Sequence, residues 1–162
     1  MYDTRKEGRM AGKLLTDEFY NNICLNSKCS TVEEAIHLAG ELLVQNQYTA
    51  PEYIQGMLER ELEHSTYIDF GVMIPHGTDA SLPYVLRPGI SIIQIPDGFC
   101  YRGNTIVLVI GISSKEEDPL QELMQITDIL LKPEKRNRLL NASSKQEFID
   151  IINENYLEEG EL

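Results

Sequence analysis

Residues 71–78 read Gly71-Val72-Met73-Ile74-Pro75-His76-Gly77-Thr78, a short apolar run fit for a buried strand that stops at a proline and then presents a histidine. Proline has a fixed φ and no N–H for a sheet ladder, so the strand delivers its last residue to a rim. Gly77 has no Cβ, so a ligand can approach its main-chain N–H closely, and the hydroxyl of Thr78 follows at once. An imidazole at an ordinary pKa is neutral half the time or more near pH 7, which leaves one ring nitrogen free as a nucleophile. The segment is therefore a candidate place for covalent attachment to His76, and Gly77 and Thr78 are candidates to hold what is attached. The competing reading is a structural turn histidine.

The chain has three histidines, and the other two, His37 and His64, carry weaker signals. His37 falls off the apolar stripe of its helix and reads as solvated. His64 follows Arg60 by four residues, a spacing that shares a helix face, and a histidine there also suits a helix C-terminus. Arg60 itself is either a ligand for an anion or a partner for Glu59 or Glu63. His64, His76 and the carboxylates Glu59, Glu61 and Glu63 lack any metal-site spacing such as H-E-x-x-H, so no metal is expected. No G-x-x-x-x-G-K phosphate loop occurs, and Cys24, Cys29 and Cys100 form no C-x-x-C pair. No cofactor is implied. An odd set of cysteines without a signal peptide is expected as free thiols in the cytoplasm.

Helices and strands must position these groups. The 162 residues carry 42% hydrophobic and 25% charged side chains, ordinary for one globular domain. Fourteen basic against 26 acidic residues give a formal charge of -12, which disfavours nucleic acid and anionic membranes as partners. The longest apolar run, Ile106 to Ile112, is too short to cross a bilayer. Residues 1–13 are polar and aperiodic and read as a loose leader, and residues 158–162 as an acidic, frayed tail. Ile23 to Leu25 could form a strand. Ser30 and Thr31 before Glu33 and Glu34 predict a capped helix with Val32, Ala35, Ile36, Ala39, Leu42 and Leu43 on its apolar side. A second helix is expected from Pro51, capped by Thr49, burying Ile54, Met57, Leu58 and Leu62. Gly89 to Ile95 and Ile106 to Ser113 read as strands, the latter central, with Pro96-Asp97-Gly98 as the turn between them. Helical spacing returns at Leu120, Leu123, Met124, Ile126 or Ile129, and Leu130, and Pro133 ends that helix. A shorter helix carries Leu139 and Leu140, and Ser144 to Glu147 opens a last one burying Phe148, Ile151 and Ile152. This order predicts a single α/β domain, a mixed β-sheet flanked by helices on both faces in three layers, over residues 14–157.

Three blocks in order carry a resemblance: Met57-Leu58-Glu59-Arg60-Glu61, the octet ending His76-Gly77-Thr78, and Gln94-Ile95-Pro96-Asp97-Gly98. They resemble the enzyme IIA domain of the mannitol/fructose class of the bacterial phosphoenolpyruvate-dependent sugar phosphotransferase system. The likeness runs from about Leu14 to Leu157, and the Q-x-P-x-G element leans toward the mannitol branch. It implies a cytoplasmic phosphocarrier. Phosphorylated HPr would donate to His76, and His76 would pass the group to a cysteine of a sugar-specific IIB domain, without membrane insertion of this chain. Arg60 corresponds to the family's active-site arginine, whose planar guanidinium suits a phosphoryl dianion. Many members carry a second histidine at the start of the helix after the Ile106–Ser113 strand, where this chain has Pro119. An acidic rim near Leu82, Tyr84 and Leu86 is the expected docking surface for HPr. The other readings are a IIA-like regulatory module, whose phosphorylation state signals to a partner protein, and a binding domain without activity.

Overall fold

A computed structural model describes residues 17–115, 117, 118 and 120–160. The expected leader and Pro119 lie outside the described residues. The described residues form two compact units, one within residues 21–120 and one of residues 17–20 together with residues 121–160.

The first unit holds a five-stranded mixed sheet in the order β1-β4-β5-β3-β2. Its strands are β1 (Ile23–Cys24), β2 (Tyr67–Asp69), β3 (Val72–Met73), β4 (Gly89–Tyr101) and β5 (Asn104–Ser113). β5 runs antiparallel to β4 and parallel to β3. Ile106, Leu108, Val109 and Ile110 of β5 are all fully buried, as the unbroken apolar run predicts for a central strand. Pro96-Asp97-Gly98 is not the turn. β4 continues through it with a register shift between Gln94 and Phe99 and Gly98 at φ +69°, so these residues form a bulge. The turn is Arg102-Gly103, both at positive φ (51° and 81°), with Tyr101 paired to Asn104, as a two-residue hairpin with right-handed strand twist requires.

α1 (Val32–Gln45) packs on β4 and β5. Its start is the expected capping box: Glu34 N–H donates to Thr31 Oγ1 (3.2 Å), and Glu34 Oε1 accepts from the N–H of Ser30 (2.7 Å) and Thr31 (3.2 Å). α2 (Tyr53–Glu63) lies against α1. Its start and inner face differ from expectation. Thr49 does not cap it but bridges Val85, and Glu52 occupies the cap position without a side-chain bond. Leu62, expected inside, is 80% exposed, whereas Glu61 is only 3% exposed. The inward place goes to the carboxylate because Thr66 N–H (3.0 Å), Thr66 Oγ1 (2.7 Å) and Tyr101 Oη (2.7 Å) converge on it as donors.

The second unit contains α3 (Gln121–Leu130), α4 (Pro133–Leu140) and α5 (Lys145–Gly160). α3 buries Gln125 with Ile126, Ile129 and Leu130, while Met124 faces solvent. Pro133 opens α4 as a first-turn residue rather than closing α3. Ser144 Oγ accepts the Glu147 N–H (3.0 Å) at the start of α5, which buries Phe148, Ile151 and Ile152 as expected and is still helical at Glu158 and Glu159. Asn155, fully buried, joins the three helices by donating to Gln125 and Asp128 and accepting from Lys132 and Lys135. No helix among the described residues is long and apolar enough to cross a membrane.

Candidate functional site

The β3·β5 ladder explains why His76 stands at a rim. Val72 pairs with Leu108 and Met73 with Val109, so the same register would pair His76 with Ile112. Beyond Met73 the ladder is incomplete. The register asks the residue at 75 for an N–H toward Ile110, and proline has none. The next rung forms, Ile112 N–H to Pro75 O at 2.9 Å. The one after it, Gly77 N–H to Ile112 O, is interrupted: Gly77 N–H donates instead to Tyr53 Oη (2.9 Å), and Tyr53 Oη donates to Ile112 O (2.8 Å).

The His76 ring is half-buried, and its Nδ1 lies 2.9 Å from Ile74 O. A carbonyl oxygen only accepts, so this contact places the hydrogen on Nδ1 and the lone pair of the neutral ring on Nε2. Nε2 has no hydrogen-bond partner among the described residues. The neighbouring main chain is held as well, since Ile74 N–H donates to Thr66 O at 3.0 Å.

Gly77 and Thr78 fare differently from expectation. The Gly77 N–H, expected to face a ligand, is taken by Tyr53. A Cβ at Gly77 would lie 2.2 Å from Ser81 Oγ and 2.6 Å from Tyr53 Cε1, so the missing side chain makes room for protein atoms. Thr78 opens the short 3-10 turn Asp79–Tyr84, and its carbonyl accepts from Ser81 N–H (3.0 Å) and Ser81 Oγ (2.7 Å). Its own N–H and hydroxyl have no partner among the described residues, so Thr78 keeps two donors two residues along the chain from His76.

α2 approaches this loop through Tyr53 and Gly56; a Cβ on Gly56 would stand 2.4 Å from Ser81 Cβ and 3.6 Å from Thr78 Oγ1. Arg60 follows Gly56 by one turn on the same side of α2, about 6 Å along the axis. It forms no ion pair with Glu59 or Glu63. Its Nη1 donates to His64 O (2.8 Å) at the end of its own helix, and it makes no bond to His76. His64 is the C-cap of α2 and His37 is exposed, as their positions predict. No cluster of three potential metal ligands occurs among the described residues.

Beside Thr78 an open cleft of about 390 Å³ runs between α2 and the 3-10 turn, with Glu52 and Glu59 on one wall and Ser81 and Tyr84 on the other. Tyr84 and Leu86 are exposed (38% and 64%), whereas Leu82 packs against the core. Tyr53 is the site residue that sequence patterning misses. It is 1% exposed, and burial pushes its phenol up from the usual tyrosine range, which keeps the hydroxyl protonated as a donor to Ile112.

Comparison with known proteins places these features in context. The family model described as "Phosphoenolpyruvate-dependent sugar phosphotransferase system, EIIA 2" matches residues 19–155. The mannitol-specific phosphotransferase enzyme IIA component of Bacillus subtilis is 45% identical over 134 residues, covering 82% of this chain and 94% of that one. The crystal structure of IIA mannitol from Escherichia coli matches with a TM-score of 0.74 at 35% identity, covering 85% of this chain and 98% of that one. A solution structure of the Escherichia coli complex of enzyme IIAMTL and phosphorylated enzyme IIBMTL also matches, with a TM-score of 0.74 at 34% identity over 82% of this chain and 94% of that chain.

Proposed function

This chain belongs to the EIIA 2 family of the phosphoenolpyruvate-dependent sugar phosphotransferase system, and on that premise we propose that it carries a phosphoryl group on His76. It is a phosphotransferase component. The donor in this reading is phosphorylated HPr and the acceptor a IIB partner, in cytoplasmic service of sugar uptake, with a mannitol-type hexitol as the sugar. The match over residues 19–155 supports residues 14–157 as the phosphocarrier domain.

The observation that carries the proposal is the Nδ1 contact to Ile74 O, which leaves Nε2 unpartnered on a half-buried ring. Nε2 attacks phosphorus in line as the bond from phosphorus to the donor's imidazole breaks, and the electron pair of that bond returns to the donor nitrogen. His76 gains positive charge while the new P–N bond forms. The Nδ1–H donor to Ile74 O spreads that charge into a fixed carbonyl dipole. Thr78 supplies its N–H and hydroxyl to phosphoryl oxygens, and Arg60 exchanges one hydrogen bond to His64 O for the dianion. Gly77 serves by leaving space rather than by donating. In the second half-reaction a thiolate of the IIB partner attacks phosphorus, and the P–N electrons return to Nε2. The carboxylates Glu52 and Glu59 give the neighbouring cleft a sign that favours a basic donor protein.

The test is incubation with phosphoenolpyruvate, enzyme I and HPr, followed by intact-mass measurement. One acid-labile phosphoryl group is expected on the wild type and none on His76→Ala. An unmodified wild-type protein refutes the proposal. Discharge of the phosphoprotein onto candidate IIB partners separates a transport role from a regulatory one.

A further inference from the structure

We infer that Tyr53 is a positioning residue: its hydroxyl is wedged into the β3·β5 ladder and holds the main chain at His76 open. The inference rests on His76 being the phosphoryl acceptor and adds a device that the acceptor depends on.

In the register set by Val72–Leu108 and Met73–Val109, His76 faces Ile112. A parallel rung pair there consists of Ile112 N–H to Pro75 O and Gly77 N–H to Ile112 O. The first exists at 2.9 Å. In the second, Tyr53 Oη stands between donor and acceptor, at 2.9 Å from one and 2.8 Å from the other. Two bonds in series through one hydroxyl hold Gly77 N and Ile112 O about 4.6 Å apart, against about 2.9 Å for a direct rung. Pro75 and Gly77, the residues on either side of His76, are thus tied to the same residue of β5, one directly and one through a spacer. The strand is splayed at His76 and anchored on both sides of it.

Removing the hydroxyl alone leaves a half-buried donor and a buried acceptor that satisfy each other directly when the rung closes. Closure draws residue 76 toward sheet geometry and away from the position in which Nδ1 meets Ile74 O and Nε2 faces the donor. The spacer comes from the first turn of α2, the helix that also carries Arg60, so one side chain sets the spacing between the acceptor loop and that helix. The ring of Tyr53 fills the space left by Gly77, so the isosteric change Tyr53→Phe removes the spacer and keeps the packing.

The experiment measures phosphoryl transfer from phosphorylated HPr to wild type and to Tyr53→Phe over a range of donor concentrations, with melting curves of both proteins. Wild-type phosphorylation is the control, and its failure overturns the functional reading rather than this one. Given a competent wild type, the saturating rate of Tyr53→Phe falls about 10- to 100-fold, the cost of an ångström-scale misplacement. The donor concentration at half-saturation changes less than about twofold, since the docking surface is intact. An unchanged saturating rate overturns the inference, and so does a rate loss that merely tracks a reduced folded fraction. Should the variant not fold, wild-type NMR decides. A slowly exchanging Tyr53 hydroxyl proton with a nuclear Overhauser contact to the Gly77 amide upholds the wedge, and its absence overturns it.

Discussion

Gly77→Ala separates two meanings of a glycine beside the proposed acceptor histidine. Were the glycine there only to let a ligand approach, alanine would leave the fold intact and stabilise it slightly, by about 0.5 kcal/mol of unfolded-chain entropy. Gly77 is not among the positive-φ glycines, so alanine meets no backbone penalty. The obstacle is steric. The new Cβ would lie 2.2 Å from Ser81 Oγ, 2.6 Å from Tyr53 Cε1 and 3.0 Å from Tyr53 Cζ. Neither neighbour yields freely, since Ser81 Oγ is bonded to Thr78 O (2.7 Å) and Tyr53 Oη to Ile112 O (2.8 Å). Overpacking at such a site costs about 1–3 kcal/mol. The displaced Gly77 N–H to Tyr53 bond adds about 1 kcal/mol. Less the entropic gain, the net is about 1.5–3.5 kcal/mol, a fall in Tm of about 3–14 °C for a chain of this size. Differential scanning calorimetry measures it directly. Adding Ser81→Gly removes the nearest obstructing atom and recovers at least about 1 kcal/mol beyond additivity. A Gly77→Ala protein that melts with the wild type refutes the packing argument and returns the glycine to the ligand.

Arg60→Ala is expected to slow saturating phosphoryl transfer about 100-fold, with Arg60→Lys only partly restoring it, because a point charge does not reproduce a bidentate fork. Its melting temperature stays near the wild type's, since the side chain's one bond is to the exposed His64 carbonyl; unchanged transfer kinetics would remove Arg60 from the mechanism. Glu61→Ala strands two buried donors, Thr66 N–H and Thr66 Oγ1, and the half-buried Tyr101 Oη, and is expected to cost about 2–4 kcal/mol in urea denaturation. An acid limb should trace to Asp128, whose carboxyl is lowered from 3.8 to about 2 by hydrogen bonds from Lys132 and then Asn155. A carboxyl pKa lower in the folded than in the unfolded state stabilises above the unfolded value and loses that stabilisation as the pH falls. The contribution is therefore present above about pH 4 and lost toward pH 2; with the side chain one-third exposed it is worth about 1 kcal/mol. Asp128→Asn should flatten urea stability across that window, and an unchanged slope would assign the acid limb to other carboxyls.

What could be read from the chain was local. The box at Thr31 and Glu34, the cap at Ser144 and Glu147, and the unbroken apolar run of β5 each need only residues within a few positions of one another. The candidate histidine stands out for the same reason, since strand, proline, histidine and glycine are consecutive. The structure departs from the local pattern where a distant partner overrides a local preference. Leu62 fits an apolar stripe better than Glu61 does, yet three donors from Thr66 and Tyr101 favour the carboxylate inside. Pro96-Asp97-Gly98 has turn composition, but β5 pairs along β4 on either side of it, so the chain absorbs the extra residues as a bulge and turns at Arg102-Gly103.

The same division runs through the site itself. His76 and Thr78 are marked by what they can do chemically, and that marking survives in a linear reading. Tyr53 acts at Gly77 and Ile112, 24 and 59 positions away, and only the folded register shows that its hydroxyl occupies the place of a ladder bond. Gly77 lies between the two cases. Its type announces a close approach, but whether ligand or protein approaches is decided by the direction of its absent Cβ, which points at Tyr53 and Ser81. Sequence therefore names the groups proposed to react, while the spacing between them is set by buried side chains whose types look ordinary. Substitutions at Tyr53 and Gly77, not only at His76 and Arg60, should accordingly govern how fast this carrier turns over.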